Sequence, residues 1–173
     1  MAPDGMAPGL EVAARYRPPT EFTWSNATHG CIVEVDPETG MVDIKRYVVS
    51  EDCGQMINPM LVEGQIQGGF AHGLGYALFE ELIYQPDGGF QSASFLDYTM
   101  VSAPEVSAEL ILLPMETRTD ANPESFKGAG ESGTVPVPAA IANAIEDAIR
   151  QVRPEARITE LPITPMRVFE ALA

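Results

Sequence analysis

Apolar and polar positions alternate in two early runs of the chain. From Gly30 to Val35 and from Val42 to Val49 the residues are rich in β-formers. In the second run Val42 and Ile44 alternate with Asp43 and Lys45, the period of a strand with one wet face. Asp36-Pro37-Glu38-Thr39-Gly40 lies between them. Proline fixes φ there and glycine admits positive φ, so the pair is a hairpin. Ser50 to Pro59 reads as a polar loop. Ile66, Phe70, Leu74 and Leu78 then recur every fourth residue, which predicts a helix from about Leu61 to Leu82. A second hairpin is expected to turn at Gln85-Pro86-Asp87-Gly88-Gly89, followed by a strand over Glu109 to Leu113 and a polar loop from Glu116 to Phe126. Ile141, Ile145, Ile149 and Val152 mark the buried stripe of a helix that starts near Pro136 and Pro138, where a missing N–H costs nothing. A last short helix begins near Pro165, with Val168, Phe169 and Leu172 as its apolar side. The order β-β-α-β-β-β-α-α has no internal repeat. It predicts an α+β domain, a hairpin-rich mixed sheet packed against a Gly-rich helix and C-terminal helices. The start of the chain is rich in Pro, Gly and Ala and closes with Pro18-Pro19, so residues 1–29 read as an arm or linker ahead of a domain over 30–173.

Charge narrows the function classes. A formal net charge of −15 over 173 residues argues against nucleic acid, whose phosphates need clustered Lys and Arg, and against anionic membrane surfaces. Cys31 and Cys53 are too few for a disulfide framework. Neither a secretory leader nor a bilayer-length apolar run is apparent, so a cytoplasmic, soluble protein is expected.

The candidate chemistry centres on Lys127-Gly128-Ala129-Gly130-Glu131-Ser132-Gly133-Thr134. Gly128, Gly130 and Gly133 spell G-x-G-x-x-G, the dinucleotide fingerprint. That fingerprint needs a strand running straight into the glycines. Here the preceding Thr119 to Phe126 is polar and contains Asn122-Pro123, and Glu131 would repel a pyrophosphate. No Gly-Lys-Ser/Thr ending is present, which excludes a P-loop. Two readings remain for Glu131. It caps the following helix, or it is a general base beside a flat ligand that approaches thin, side-chain-free backbone. Gly64, Gly68, Gly69, Gly73 and Gly75 along the first helix pose a similar question. Helical glycine costs about 1 kcal/mol relative to alanine, and close approach by a backbone or a ligand is the usual reason. The competing membrane G-x-x-x-G dimer is discounted because Glu63, Gln65, Gln67, His72 and Glu80-Glu81 interrupt the apolar run.

Further motifs lie around these. Val49-Ser50-Glu51-Asp52-Cys53-Gly54-Gln55-Met56-Ile57-Asn58-Pro59 is followed by Glu63-Gly64-Gln65-Ile66-Gln67-Gly68-Gly69. Then come Phe95-Leu96-Asp97-Tyr98, Lys127-Gly128-Ala129-Gly130-Glu131 and Leu161-Pro162-Ile163-Thr164-Pro165. In that order they resemble the C-terminal part of the molybdopterin-binding subunit of the xanthine dehydrogenase, aldehyde oxidase and carbon monoxide dehydrogenase family. The resemblance covers Gly30 to the C-terminus. It implies that 30–173 is a molybdopterin-binding domain and that Glu131 is the general base of an oxidative hydroxylation with water as oxygen source. It further implies that Gln65 hydrogen-bonds the pterin, with Gly68, Gly128, Ala129, Gly130, Ser132 and Gly133 around the cofactor. The metal is then held by the cofactor's sulfurs, with no protein ligand. A 2Fe–2S cluster and FAD are expected on an iron–sulfur subunit and a flavin subunit.

The resembling subunits are several times longer, so the chain is expected to be one wall of an active site. It is expected to bind no molybdopterin tightly and turn nothing over without the remaining part of the molybdenum subunit, whose absence should expose an apolar face around the first helix. The small-molecule substrate, whether aldehyde, N-heterocycle, purine or carbon monoxide, is not readable. A non-catalytic scaffold fragment is the rival reading, with dinucleotide binding a distant third. His29, Cys31, Cys53 and His72 match no usual zinc spacing. Asp97-Tyr98 reads as a structural hydrogen-bonding pair and Trp24 as a packing residue.

Overall fold

The computed structural model describes residues 9, 12–15, 17, 22–106 and 108–173. Pro18-Pro19 and much of the expected arm lie outside the described residues. The first two strands form the expected hairpin, but both are longer. β1 runs Asn26–Val35 and β2 runs Val42–Asp52, paired antiparallel. Its turn is held by Asp36, whose carboxylate accepts the Glu38 N–H at 2.9 Å and the Thr39 hydroxyl at 2.6 Å. Gly40 closes it at φ +72°, packed so tightly on Pro165 that a Cβ would lie 2.0 Å from the carbonyl oxygen.

One irregularity sets the whole face of this hairpin. Pairing steps from Ile32–Arg46 to Val33–Ile44, leaving Lys45 without a partner as a β-bulge. Before the bulge Val42 and Ile44 point inward; after it Tyr47, Val49 and Glu51 do. The polar loop expected from Ser50 is therefore partly strand. Ser50, Glu51 and Asp52 continue β2, and both acids are buried. β3, Glu109–Met115, pairs parallel to β2 and completes a mixed sheet of order β1-β2-β3.

α1 spans Pro59–Leu78, starting two residues early with proline in its first turn and ending four residues before the expected Leu82. Phe79 and Glu80 fold back, both donating their N–H to the Gly75 carbonyl at 2.9 Å. Ile66, Phe70 and Leu74 are buried as their spacing requires, and Phe70 meets Tyr47 of the sheet with ring centroids 4.6 Å apart. The expected second hairpin is only a turn at Gln85–Gly89 with a single antiparallel bridge, Tyr84 to Phe90. Both rings are exposed, so no core stabilises longer strands there.

α2, Val137–Arg150, buries Val137, Ile141, Ile145 and Ile149 between α1 and β1. Val152 falls beyond its end and is exposed, which shortens the expected stripe by one residue. α3, Pro165–Leu172, is capped by the Thr164 hydroxyl and buries Val168, while Phe169 is half-exposed. Ile163 ties this segment to the end of α1 by donating to the Ala77 carbonyl at 2.6 Å. Among the described residues Trp24 does not pack into the core: it is exposed, and its aromatic neighbour is the exposed Phe22 ring. Asp97 and Tyr98 are hydrogen-bonded to other residues, Ser94 and Glu80, rather than to each other.

Candidate functional site

The glycine segment is anchored at its first residue. Lys127 reaches down to Asp52 at the end of β2, Nζ to Oδ2 2.9 Å, with both side chains 8% exposed. The same ammonium donates to the Thr117 hydroxyl at 2.5 Å. Asp52 also accepts the N–H groups of Gly54 at 2.9 Å and Thr117 at 3.0 Å, and the Thr117 hydroxyl. Burial alone would raise this carboxyl. The donors from Thr117, Lys127 and Gly54 overcome burial and hold it well below the usual carboxylate range. The backbone joins in, with the Lys127 N–H donating to the Cys53 carbonyl at 2.9 Å.

Past this anchor the segment lies against α1. Gln65 Nε2 donates to the Gly130 carbonyl at 2.6 Å, joining two motifs 65 residues apart. A Cβ on Gly133 would stand 2.9 Å from Ile66 Cα, and one on Gly69 would stand 2.7 Å from the Gly133 carbonyl carbon. The two backbones touch, and only glycine allows it. Gly73 is similarly tight, with its notional Cβ 2.4 Å from Val137 Cβ. Backbone contact thus accounts for part of the helical glycines. It does not account for Gly64, Gly68, Gly128 and Gly130, where a Cβ would meet nothing within 4 Å. Gly64 and Gly68 sit one residue before and three after Gln65 on the helix, so this open surface continues from helix to loop.

Glu131 stands exposed between these contacts. Its carbonyl accepts the N–H of Thr134 at 2.9 Å and of Val135 at 3.1 Å. The cap position of α2 is Pro136, and no side chain caps the helix, so the capping alternative for the Glu131 carboxylate is not what the structure contains. Ala129 is partly exposed in the same segment. The Ser132 hydroxyl donates inward, to Glu51.

Sequence reasoning missed Glu51 and Asp52, because adjacent acids after a strand read as solvent-facing. The available signal was the β-branched run Val48-Val49 entering them with no glycine or proline before Gly54. Burial pushes the Glu51 carboxyl up, and the Ser132 hydroxyl offsets this in part. Burial also pushes His29 down, opposed by the Ser132 backbone beside it, and drives the Cys31 thiol up to about 11. A thiol so raised is a poor nucleophile and a poor ligand. His72 stands exposed on α1 with its ring edge-on to Tyr76, centroids 6.3 Å apart. Among the described residues no group of three or more His, Cys, Asp or Glu side chains is placed to hold a metal ion. A cavity of 330 Å³ lined by His72, Tyr76, Glu80, Tyr98 and Met100 lies along the other half of α1 and involves none of the glycine segment.

Residues 3–107 match the family described as the molybdopterin cofactor-binding domain. The chain belongs to that family. It is 40% identical over 169 residues to the nicotine 6-hydroxylase large subunit of Paenarthrobacter nicotinovorans, covering 98% of this chain and 20% of that subunit. It is 34% identical to the carbon monoxide dehydrogenase large chain of Afipia carboxidovorans, covering 84% of this chain and 18% of that one. Quinoline 2-oxidoreductase from Pseudomonas putida 86 superimposes with a TM-score of 0.81 at 38% identity, over 86% of this chain and 18% of that one. This molybdopterin-family chain therefore spans about a fifth of the length of the curated relatives it matches. The α+β architecture expected from sequence is present, and it superimposes on the matching part of the quinoline 2-oxidoreductase chain. Among the described residues no helix is long and apolar enough to cross a membrane.

Proposed function

We propose that the chain forms one wall of the active site of a molybdenum hydroxylase, with Glu131 as its general base. The observation that carries this is the Gln65–Gly130 hydrogen bond, which sets the helix motif and the exposed Glu131 side by side. The residues present fit a molybdopterin group. Four glycines that the protein's own packing does not require, Gly64, Gly68, Gly128 and Gly130, leave flat, side-chain-free surface around Gln65 and Glu131. When bound, that group supplies the redox centre and a Lewis acid that acidifies water.

The chain's residues do the rest. Gln65 gives one N–H to Gly130, and its remaining N–H and its carbonyl are available to the edge of a pterin ring. The backbone of Gly128, Ala129 and Gly130 borders the cofactor, with Gly68 opposite on α1, while Ser132 and Gly133 hold that backbone from the inner side. Glu131 receives the proton of the attacking water at a carboxylate oxygen, and its exposed position leaves it accessible to substrate. The substrate is an aldehyde, an N-heterocycle or a similar small molecule, or carbon monoxide. The partners are the remaining part of a molybdenum subunit, an iron–sulfur subunit with 2Fe–2S and a flavin subunit with FAD. Relatives whose names specify a large subunit or a complex subunit support that assembly. Two free thiols, Cys31 and Cys53, suit a cytoplasmic setting.

The test is Glu131→Gln in the complex purified from its host, with molybdenum content and dye reduction measured together. Turnover should fall by about two to four orders of magnitude at unchanged molybdenum content. Retained turnover would overturn the base assignment. Recovery of the chain in a complex without molybdenum would favour a scaffold instead.

A further inference from the structure

We propose that Glu51 is a positioning residue for the Glu131 segment: from the core face of β2 its carboxyl accepts the Ser132 hydroxyl and fixes the position of the neighbouring Glu131. The proposal rests on the reading of Glu131 as the base.

Glu51 is a costly residue for a core. It is 2% exposed, and glutamate is almost never fully buried without a partner of opposite charge. Among the described residues no ion pair serves it, and Lys127, the cation bound to the adjacent Asp52, is committed there and to Thr117. A buried carboxyl without a counter-charge contributes less to stability than a methionine or glutamine of similar volume. Among the described residues its carboxyl has one hydrogen-bond partner, Ser132, and its second oxygen, Oε2, is buried with none. That pattern fits a group retained for where it holds the loop.

Glu51 does not act on Ser132 alone. β1 places His29 opposite Val49, one diagonal step from Glu51 on the same face of the sheet. His29 Nδ1 pairs with the Tyr47 hydroxyl at 2.9 Å, and its Nε2 is buried without a hydrogen bond. The other titratable groups on this face of the sheet are Tyr47 and Cys31, a cross-strand pair, while Asp52 and Cys53 follow Glu51 in the chain, with Lys127 bound to Asp52 and Glu116 near Cys53. Ser132 therefore has one polar side chain of the sheet on its hydroxyl, Glu51, and a second, His29, beside its backbone.

The geometry brackets Glu131. The carbonyl of the residue before it is held from α1 by Gln65, and the side chain of the residue after it is held from β2 by Glu51. Gly133 is wedged on Ile66, and the Glu131 carbonyl is bonded into the turn that opens α2. Only the Glu131 side chain is left outside. Removing the Glu51 contact frees one side of this bracket.

Hydrogen exchange at the amides of Thr134 and Val135, both donors to the Glu131 carbonyl, reads the bracket directly in the full chain without any cofactor. Glu51→Leu and Ser132→Ala should each speed exchange about tenfold, the effect of one lost buried hydrogen bond. The double variant should be no faster than either single one, because both remove the same contact. Glu51→Gln keeps an acceptor oxygen and should restore exchange close to wild type, which a merely space-filling role does not predict. Additive effects, wild-type exchange in Ser132→Ala, or failure of the glutamine rescue would each overturn the proposal. Ser132→Ala removes a single hydroxyl, so the test stands even if Glu51→Leu does not fold. The outcome is independent of the base assignment: retained turnover in Glu131→Gln would remove the reading of Glu131 and leave the exchange result in place.

Discussion

The junction between α1 and the glycine segment has two faces, and glycine means something different on each. On the inner face Gly69, Gly73 and Gly133 let backbone meet backbone or a core side chain, with notional Cβ contacts of 2.4 to 2.9 Å. On the outer face Gly64, Gly68, Gly128 and Gly130 would meet nothing at all. An inner glycine reports on how the chain folds. An outer glycine, unneeded by the fold, reports on what approaches from outside. The comparison separates residues that a single count of glycines would merge.

The largest effect should come from cutting the inner anchor. Lys127→Met leaves Asp52 buried and unpaired and should destabilise the chain by about 3–5 kcal/mol at neutral pH, read from the urea midpoint. Because Asp52 is held low in the folded state, its contribution is present above the ordinary value of 3.8 and is lost as pH falls through the folded pKa. The gap between wild type and variant should therefore close on acidification below that value. A pH-independent gap would count against the ion pair as its source. Gly133→Ala should cost about 1–3 kcal/mol, since its Cβ meets the Ile66 backbone rather than a movable side chain.

Glu51→Gln sharpens the comparison through pH. Burial raises the folded-state pKa of Glu51, so its stability is fully present below the ordinary 4.5 and is lost as pH rises toward the folded pKa. Within that window the variant should gain on wild type by about 1.4 kcal/mol per pH unit, in denaturant midpoints compared from pH 4 upward. A constant difference would contradict burial of the ionisable carboxyl. The smallest effect belongs to the outer face. Gly68→Ala should stabilise the chain by up to about 1 kcal/mol, because alanine is the better helix former and the added methyl meets open space. Under the proposed function the same change should lower the molybdenum content of the assembled enzyme. Stabilisation with full molybdenum content would detach the outer glycines from the cofactor.

The hairpin and the helices were legible because their apolar periods are strong. Val42 and Ile44 alternate, and Ile66, Phe70 and Leu74 or Ile141, Ile145 and Ile149 each line one buried face. Periodicity overreached where tertiary support stops, at Val152 beyond α2 and at the Tyr84–Phe90 bridge, whose rings find no core. In the candidate site Gln65 and Glu131 were named from motif order, and the structure brings their segments together. The support beneath them was not legible. Glu51 and Asp52 look like loop acids until the pairing partners of β2 are known. Their burial depends on Ser132, Thr117 and Lys127, which lie 65 or more residues further along the chain.

The bulge at Lys45 gives the hairpin a reading frame. Pairing Lys45 with Ile32 as an ordinary strand residue, without the bulge, would put the remainder of β2 out of phase. Arg46, Val48 and Ser50 would turn toward the core, and Tyr47, Val49 and Glu51 toward water. The frame would be lost for packing and for the loop support together. The extra residue between Ile44 and Tyr47 must therefore stay unpaired for Tyr47, Val49 and Glu51 to face the core.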